Sequence, residues 1–228
     1  LPQTSHCHQE DDHVTRFISE ASGYLVHQGF SQTLSYVFHG GEADDWFEGP
    51  GSDPVNLKNP LGKEYGTLRS HLLVGLLRAA AHNRNHGQNG IKLFEQGHVF
   101  GWRDGKIVEQ NAMGILVSGR FSEPWWGEKD PSTATILHLK GWVEALFAHV
   151  GLKTEWIPAG RIPGLVEGAL RLRFNGFCCG YAGQVAGDVL AAAGGLEGPV
   201  LVAQIPLLPE ILKVRLPRFE MWSRYPSV

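Results

Sequence analysis

The chain has 228 residues, 43% of them apolar, and a formal net charge of −3 at pH 7. That is enough for one sizeable core, and the charge gives no global footprint for nucleic acid, so any RNA contact must be local or supplied by a partner. No apolar run reaches the ~18 residues of a membrane helix. The N-terminus LPQTSHCHQEDD lacks a signal-peptide pattern, and three cysteines make no disulfide framework, so a cytoplasmic protein with no membrane partner is expected.

Residues 1–13 are polar and aperiodic and are expected to form a flexible leader or linker. His6, Cys7, His8 and His13 lack a second pair at zinc spacing, so no metal site is expected. Val14, Phe17, Ile18, Ala21, Leu25 and Val26 then fall at helical spacing, with Asp12 as N-cap and Gly29 as stop. Thr33 to Phe38 reads as a strand. Residues 39–53 read as a surface loop carrying Trp46 and Phe47, and Val55 to Leu57 as a short strand.

The stretch Asn59–Phe100 combines a turn, a helix and a strand. Leu68, Leu72, Leu73, Leu76, Leu77 and Ala80 make one apolar stripe, and Gly87 supplies the left-handed stop. From Ile91 the period becomes two, which places Ile91, Leu93, Glu95, Gly97 and Val99 on one face of a strand. Asp104-Gly105 predicts a hairpin turn into a buried strand at Ala112–Ser118. A loop bearing Trp125 and Trp126 follows, then a helix over Ile136–Val150 and a short strand at Glu155–Ile157. Asn175-Gly176 joins two strands, with Cys178 and Cys179 on opposite faces as packing residues. Val200–Ile205 is a last core strand, and Leu207–Leu212 a short helix.

The string NPL…LR.HLL.GLL…..N.N.G….LFE.G.VF between Asn59 and Phe100 resembles the class II synthetase-like module in the β subunit of bacterial phenylalanyl-tRNA synthetase. VTRFISEASGYLVHQGFSQTLSYVF is similar to motif 1 of that class, and LKGWVEALFAHVGL to a helix of the same module. The resemblance covers nearly all of Val14–Val228. It implies an α+β class II aminoacyl-tRNA synthetase-like fold, an antiparallel sheet flanked by helices, over 14–216. Residues 217–228 would begin a linker to a C-terminal ferredoxin-like domain. It also implies a catalytic α subunit as partner, packed on the motif 1 helix through Phe17, Ile18, Ala21 and Leu25, with tRNA-Phe reached through the holoenzyme. ATP and Mg would serve that holoenzyme; no cofactor is expected on this domain.

The family's chemistry needs arginines, whose guanidinium forks stabilise charge on phosphoryl oxygens. The motif 2 position falls on Gly101, with Arg103 two residues on, and LVAQIPLLPEIL has neither the glycines nor the arginine of motif 3. No catalytic residue is therefore expected. The family's His-Pro-Gly is Arg161-Ile162-Pro163-Gly164 here, and its Gly-x-x-His-Pro is Gly183-Gln184-Val185-Ala186-Gly187. Arg84 and Asn85, at the polar end of the central helix, are candidate RNA contacts. Two rivals remain: an ATP- or amino-acid-binding paralogue in which Arg103, or arginines such as Arg171 and Arg173, meet at a pocket, and a homodimeric interaction module.

Overall fold

The computed structural model describes residues 13–51, 53–121, 126, 132–174, 176–209 and 212. Helix α1 (His13–His27) ends where Gly29 takes φ +81°, and the chain enters β1 (Ser31–Gln32). A small sheet follows, built from β2 (Phe38–His39), β3 (Val55–Asn56) and β4 (Thr67–Leu68), with β4 in the middle. Helix α2 (Leu73–Asn85) leads through Gly87, φ +85°, into the long hairpin of β5 (Gly90–Arg103) and β6 (Lys106–Gly119). Asp104 and Gly105 both have positive φ, as a tight two-residue hairpin turn requires. Then come α3 (Ile136–His149), β7 (Thr154–Pro158), β8 (Leu170–Phe174), β9 (Phe177–Gln184), α4 (Gly187–Ala192) and β10 (Val200–Pro206).

The main sheet has seven strands in the order β1-β5-β6-β10-β9-β8-β7. It is α+β as expected, but mixed rather than purely antiparallel, because β1 runs parallel to β5. A parallel pair needs a long crossover, and here the small sheet and α2 supply it.

Both faces are covered. On one, α1 and α3 bury Phe17, Ala21, Leu25, Val143 and Phe147 against Phe94, Ile115, Phe174 and Ala203. Phe17 stacks on Phe147 at 5.5 Å between ring centres. On the other, α2 and α4 pack Leu73, Leu77 and Leu190 against Ile91, Leu93, Leu116 and Val202. The period-two face of β5 therefore meets α2.

Five further expectations are corrected. Thr33–Phe38 is not one strand: the Thr33 amide donates to the Phe94 carbonyl, but the Ser35 amide goes to the Glu95 carboxylate, so a side chain interrupts the ladder. Leu68 belongs to β4, not to the central helix, because the Arg69 amide is taken by the Val37 carbonyl. The 39–53 loop contains a 3-10 helix, Gly41–Trp46, and Phe47 is buried in the core beside α2. Helix α4 had no sequence counterpart. The helix expected over Leu207–Leu212 is not formed at 207–209 and 212, which are irregular with a turn at Pro209, although the Leu212 amide donates to the Leu208 carbonyl at 3.1 Å. Asp12, Trp125, residues 1–12, 210–211 and 217–228 lie outside the described residues.

Candidate functional site

The registers place five residues in one line across the sheet: Glu95 opposite Gly114, Gly114 opposite Gln204, Gln204 opposite Tyr181, and Tyr181 opposite Arg171. Side chains two apart on a strand share a face, so this polar row crosses a face whose neighbours are apolar. Its side chains are held by the chain itself. Glu95 is fully buried and takes an ion pair from Arg69 at 2.6 Å, the Ser35 amide at 3.1 Å and the Ser35 hydroxyl. Arg69, also buried, donates its Nε to the His98 carbonyl at 2.8 Å. Gly114 leaves room for α2: a Cβ there would lie 2.8 Å from Leu76 Cδ1 and 3.0 Å from Leu72 Cβ. The Gln204 side-chain oxygen accepts the Leu72 amide at 3.3 Å.

At the other end of the row stands Glu48. The Arg171 fork donates to its two carboxylate oxygens at 2.5 and 2.6 Å, and the Tyr181 hydroxyl donates to its main-chain carbonyl at 3.1 Å. Its hydrogen bond to the Glu48 carboxylate holds the Arg171 guanidinium pKa above its ordinary value. Burial pushes the Tyr181 phenol upward, so it is a hydrogen-bond donor and not a base at neutral pH.

Glu48–Gly51 forms a strap over this end of the sheet. Its Gly51 backbone presses on Gly101 and Trp102: a Cβ on Gly101 would stand 2.7 Å from the Gly51 nitrogen, and one on Gly51 2.6 Å from the Trp102 nitrogen. The Trp102 amide donates to the Asp53 carbonyl at 3.0 Å, and the Arg103 guanidinium donates to the Pro50 carbonyl. Between strap and sheet lies a cleft of about 340 Å³ to which Arg103, Arg171, Gln110 and Tyr181 contribute. Arg173 instead donates to the Gly176 carbonyl at the exposed hairpin end.

Residues 1–207 match the family described as the phenylalanyl tRNA synthetase beta chain CLM domain. The chain belongs to this family. Among curated proteins it is similar to the phenylalanine–tRNA ligase beta subunit of Pseudomonas savastanoi pv. phaseolicola, 31% identical over 92% of this chain and 26% of the relative. The same subunit of Pseudomonas syringae pv. syringae is 30% identical over 100% of this chain and 28% of its own length. That of Dehalococcoides mccartyi is 28% identical over 94% and 26%. The chain thus spans about a quarter of the relatives it matches.

In this CLM domain the position expected for a motif 2 arginine, Gly101, is closed to any side chain by the Gly51 backbone. Arg103 and Arg171 do meet at one cleft, but each is engaged by the strap. The expected partner face is corrected. Phe17, Ala21 and Leu25 are at most 1% exposed because α3 and the sheet cover them, and only Ile18 of the four keeps accessible surface. Exposed apolar residues include Val26 on the outer side of α1 and a cluster off the helix: Leu34 is 91% and Tyr36 80% exposed, with Phe38 and Tyr65 lining the same cleft as Tyr36. Of the RNA candidates, Arg84 donates to Ser118 Oγ at 3.2 Å and to the Asn89 carbonyl at 3.4 Å, while Asn85 is exposed. Cys178 is exposed and Cys179 buried; burial pushes the Cys179 thiol up to about 12. Among the described residues, no three His, Cys, Asp or Glu side chains gather as metal ligands.

The sequence reading missed Arg69, Gln204, Tyr181 and Glu48. Gln204 carried a signal, being the one polar residue in Val200–Ile205. The pairing of Glu48 with Arg171 carried none, since 123 residues separate them.

Proposed function

We propose that this chain is a non-catalytic core of the phenylalanyl-tRNA synthetase beta subunit, with the class II synthetase-like fold. It would scaffold a catalytic α subunit and tRNA-Phe binding during ATP-dependent attachment of phenylalanine to tRNA. The observation that carries this reading is the Gly51 backbone seated on Gly101, which leaves no space for the arginine that adenylate chemistry requires. ATP and Mg would act on the α subunit, in a cytoplasmic heterotetramer, with no cofactor on this chain. The polar row supports a structural role, because its side chains fix the strap, the segment before α2 and the Ser35 segment. The partner surface would be the Leu34–Tyr36 edge.

Pyrophosphate exchange tests the reading. The chain with ATP and phenylalanine is expected to give no phenylalanine-dependent exchange, and exchange is expected once the α subunit is added. Adenylate formed by this chain alone overturns the reading.

One observation favours a second reading: Arg103 and Arg171 line a common cleft, as an anion-binding paralogue requires. Glu48 neutralises Arg171 there, so saturable binding of ATP or phenylalanine in calorimetry would demand that the strap move aside.

A further inference from the structure

A larger cleft, about 580 Å³, lies where the C-terminal ends of α1 and α2 meet the start of β5 and the end of β6. It is far along β5 from Gly101, which pairs near the hairpin tip. Its lining includes Arg120, Lys92, Asn83, Gln88, Asn89 and Phe121, and no carboxylate among the described residues.

Two helix C-terminal ends bring partial negative charge to this place. Two cations offset them: Lys92 donates to the Gln28 carbonyl at 3.4 Å, and Arg84 to the Asn89 carbonyl. Arg120 goes beyond that balance. Its main chain is fixed by the Asn89 carbonyl, yet its half-buried guanidinium makes no hydrogen bond or ion pair among the described residues. A chain of net charge −3 thus places a permanent cation in a cleft lined by no acid group among the described residues. Beside it Phe121 forms an aromatic stack, 4.0 Å from the His138 ring and 5.5 Å from the Trp142 ring, with the Lys92 ammonium 4.8 Å from the Trp142 ring centre.

Fixed cations, side-chain amides and a planar ring in one cleft match the three parts of a nucleotide: phosphate, base edge and base face. We propose that this cleft binds a short single-stranded segment of RNA. Arg120 and Lys92 take its phosphates, Gln88 and Asn89 meet a base edge, and the Phe121 ring stacks on a base. This moves the RNA contact from Arg84 and Asn85, which close the end of α2, to the strand ends beside them. Only the identity of the RNA rests on the synthetase reading.

The test is fluorescence anisotropy of the full chain with a labelled single-stranded RNA 12-mer across a salt series. Saturable binding is expected. Arg120→Gln is expected to weaken it about tenfold and to reduce the slope of log K against log salt by about 0.7, one phosphate contact on a single strand. Phe121→Leu should weaken binding with the slope unchanged, and Arg16→Gln, on the exposed face of α1, should change neither. If Arg120→Gln does not fold, Lys92→Gln reads the same slope. No saturable binding, an unchanged slope in folded Arg120→Gln, or inorganic polyphosphate competing as well as RNA of equal charge each overturns the proposal. A chain that captures the α subunit but binds no RNA overturns this cleft alone and leaves the scaffold reading standing.

Discussion

Arg171 and Glu48, 123 residues apart in the chain, close a two-pronged ion pair at 2.5 and 2.6 Å. The fork is planar and matches a carboxylate, so the pair orients the strap as well as attracting it. Both groups remain about a third exposed, which screens the charge. Arg171→Met is expected to cost about 1 kcal/mol in urea denaturation, with a coupling of similar size in the cycle with Glu48→Gln. Amide exchange of Gly49 and Gly51 should rise more than that of β10. A strap equally protected in Arg171→Met would show that the Gly51–Gly101 contact and the bonds from Tyr181 and Arg103 hold it without this pair.

Glu95 and Arg69 are a different case, because both are buried and the pair is out of water. Removing one partner leaves a buried charge, a loss of about 3–5 kcal/mol, whereas removing both restores much of it. Glu95→Ala should therefore be strongly destabilised, and adding Arg69→Met should recover part of the loss. Thermal melts of the three chains decide the point. A double variant no more stable than Glu95→Ala would contradict it.

The helices and long strands were legible because their apolar periodicity reports which face is buried. The stripe from Val14 to Leu25, the alternation from Ile91 to Val99 and the Asp104-Gly105 turn all have local causes. Partner and core are not separable this way. Phe17, Ala21 and Leu25 needed a covering surface, and the sequence could not say that α3, more than 100 residues later, provides it. The polar row was illegible for the same reason: only register brings Glu95, Gln204, Tyr181 and Arg171 into line. Ser35 shows the limit of strand propensity, since a buried carboxylate drew its amide out of the ladder.

Gly101 tests whether the proposed absence of catalysis is a matter of one residue. A methyl group there meets the Gly51 nitrogen at 2.7 Å, and backbone cannot rotate away as a side-chain tip can. Gly101→Ala is expected to cost about 1–3 kcal/mol, as overpacking does. Gly101→Arg should destabilise further and still give no pyrophosphate exchange. Exchange activity in that variant would mean the strap yields more easily than its contacts imply.

The two adjacent cysteines should behave as chemically distinct groups. Cys179 is the extra residue of a bulge, where Leu172 pairs with Gly180 and Arg173 with Cys178, and its sulfur is turned into the core beside α3. Peptide mapping after alkylation at pH 8 should find Cys178 modified in the native chain and Cys179 only after denaturation. The Cys179 thiol is raised from 9.0 to about 12, so the unfolded chain loses that proton first as pH rises. Its contribution is complete below pH 9 and is lost as pH rises from 9 towards 12, with a slope of at most about 1.4 kcal/mol per pH unit. Cys179→Ala should lack that part of the alkaline slope in urea titrations, while Tyr181 keeps its own.

The proposed partner surface can be separated from the core because the two faces hold different residues. Leu34 and Tyr36 point away from the sheet, while Thr33 and Ser35 bond inward to Phe94 and Glu95. Leu34→Asp and Tyr36→Asp should leave the melting temperature within a degree or two, since neither side chain gives up core contacts. Both should weaken capture of the α subunit in sedimentation, because a buried carboxylate without a partner is costly. Phe17→Ala should act in the opposite way, costing about 3–5 kcal/mol of stability through a core cavity. Undiminished α-subunit capture by the Leu34 and Tyr36 variants would move the interface elsewhere, to the outer face of α1 around Ile18 and Val26. A self-associating wild-type chain dispersed by the same variants would assign that edge to a second copy of this chain.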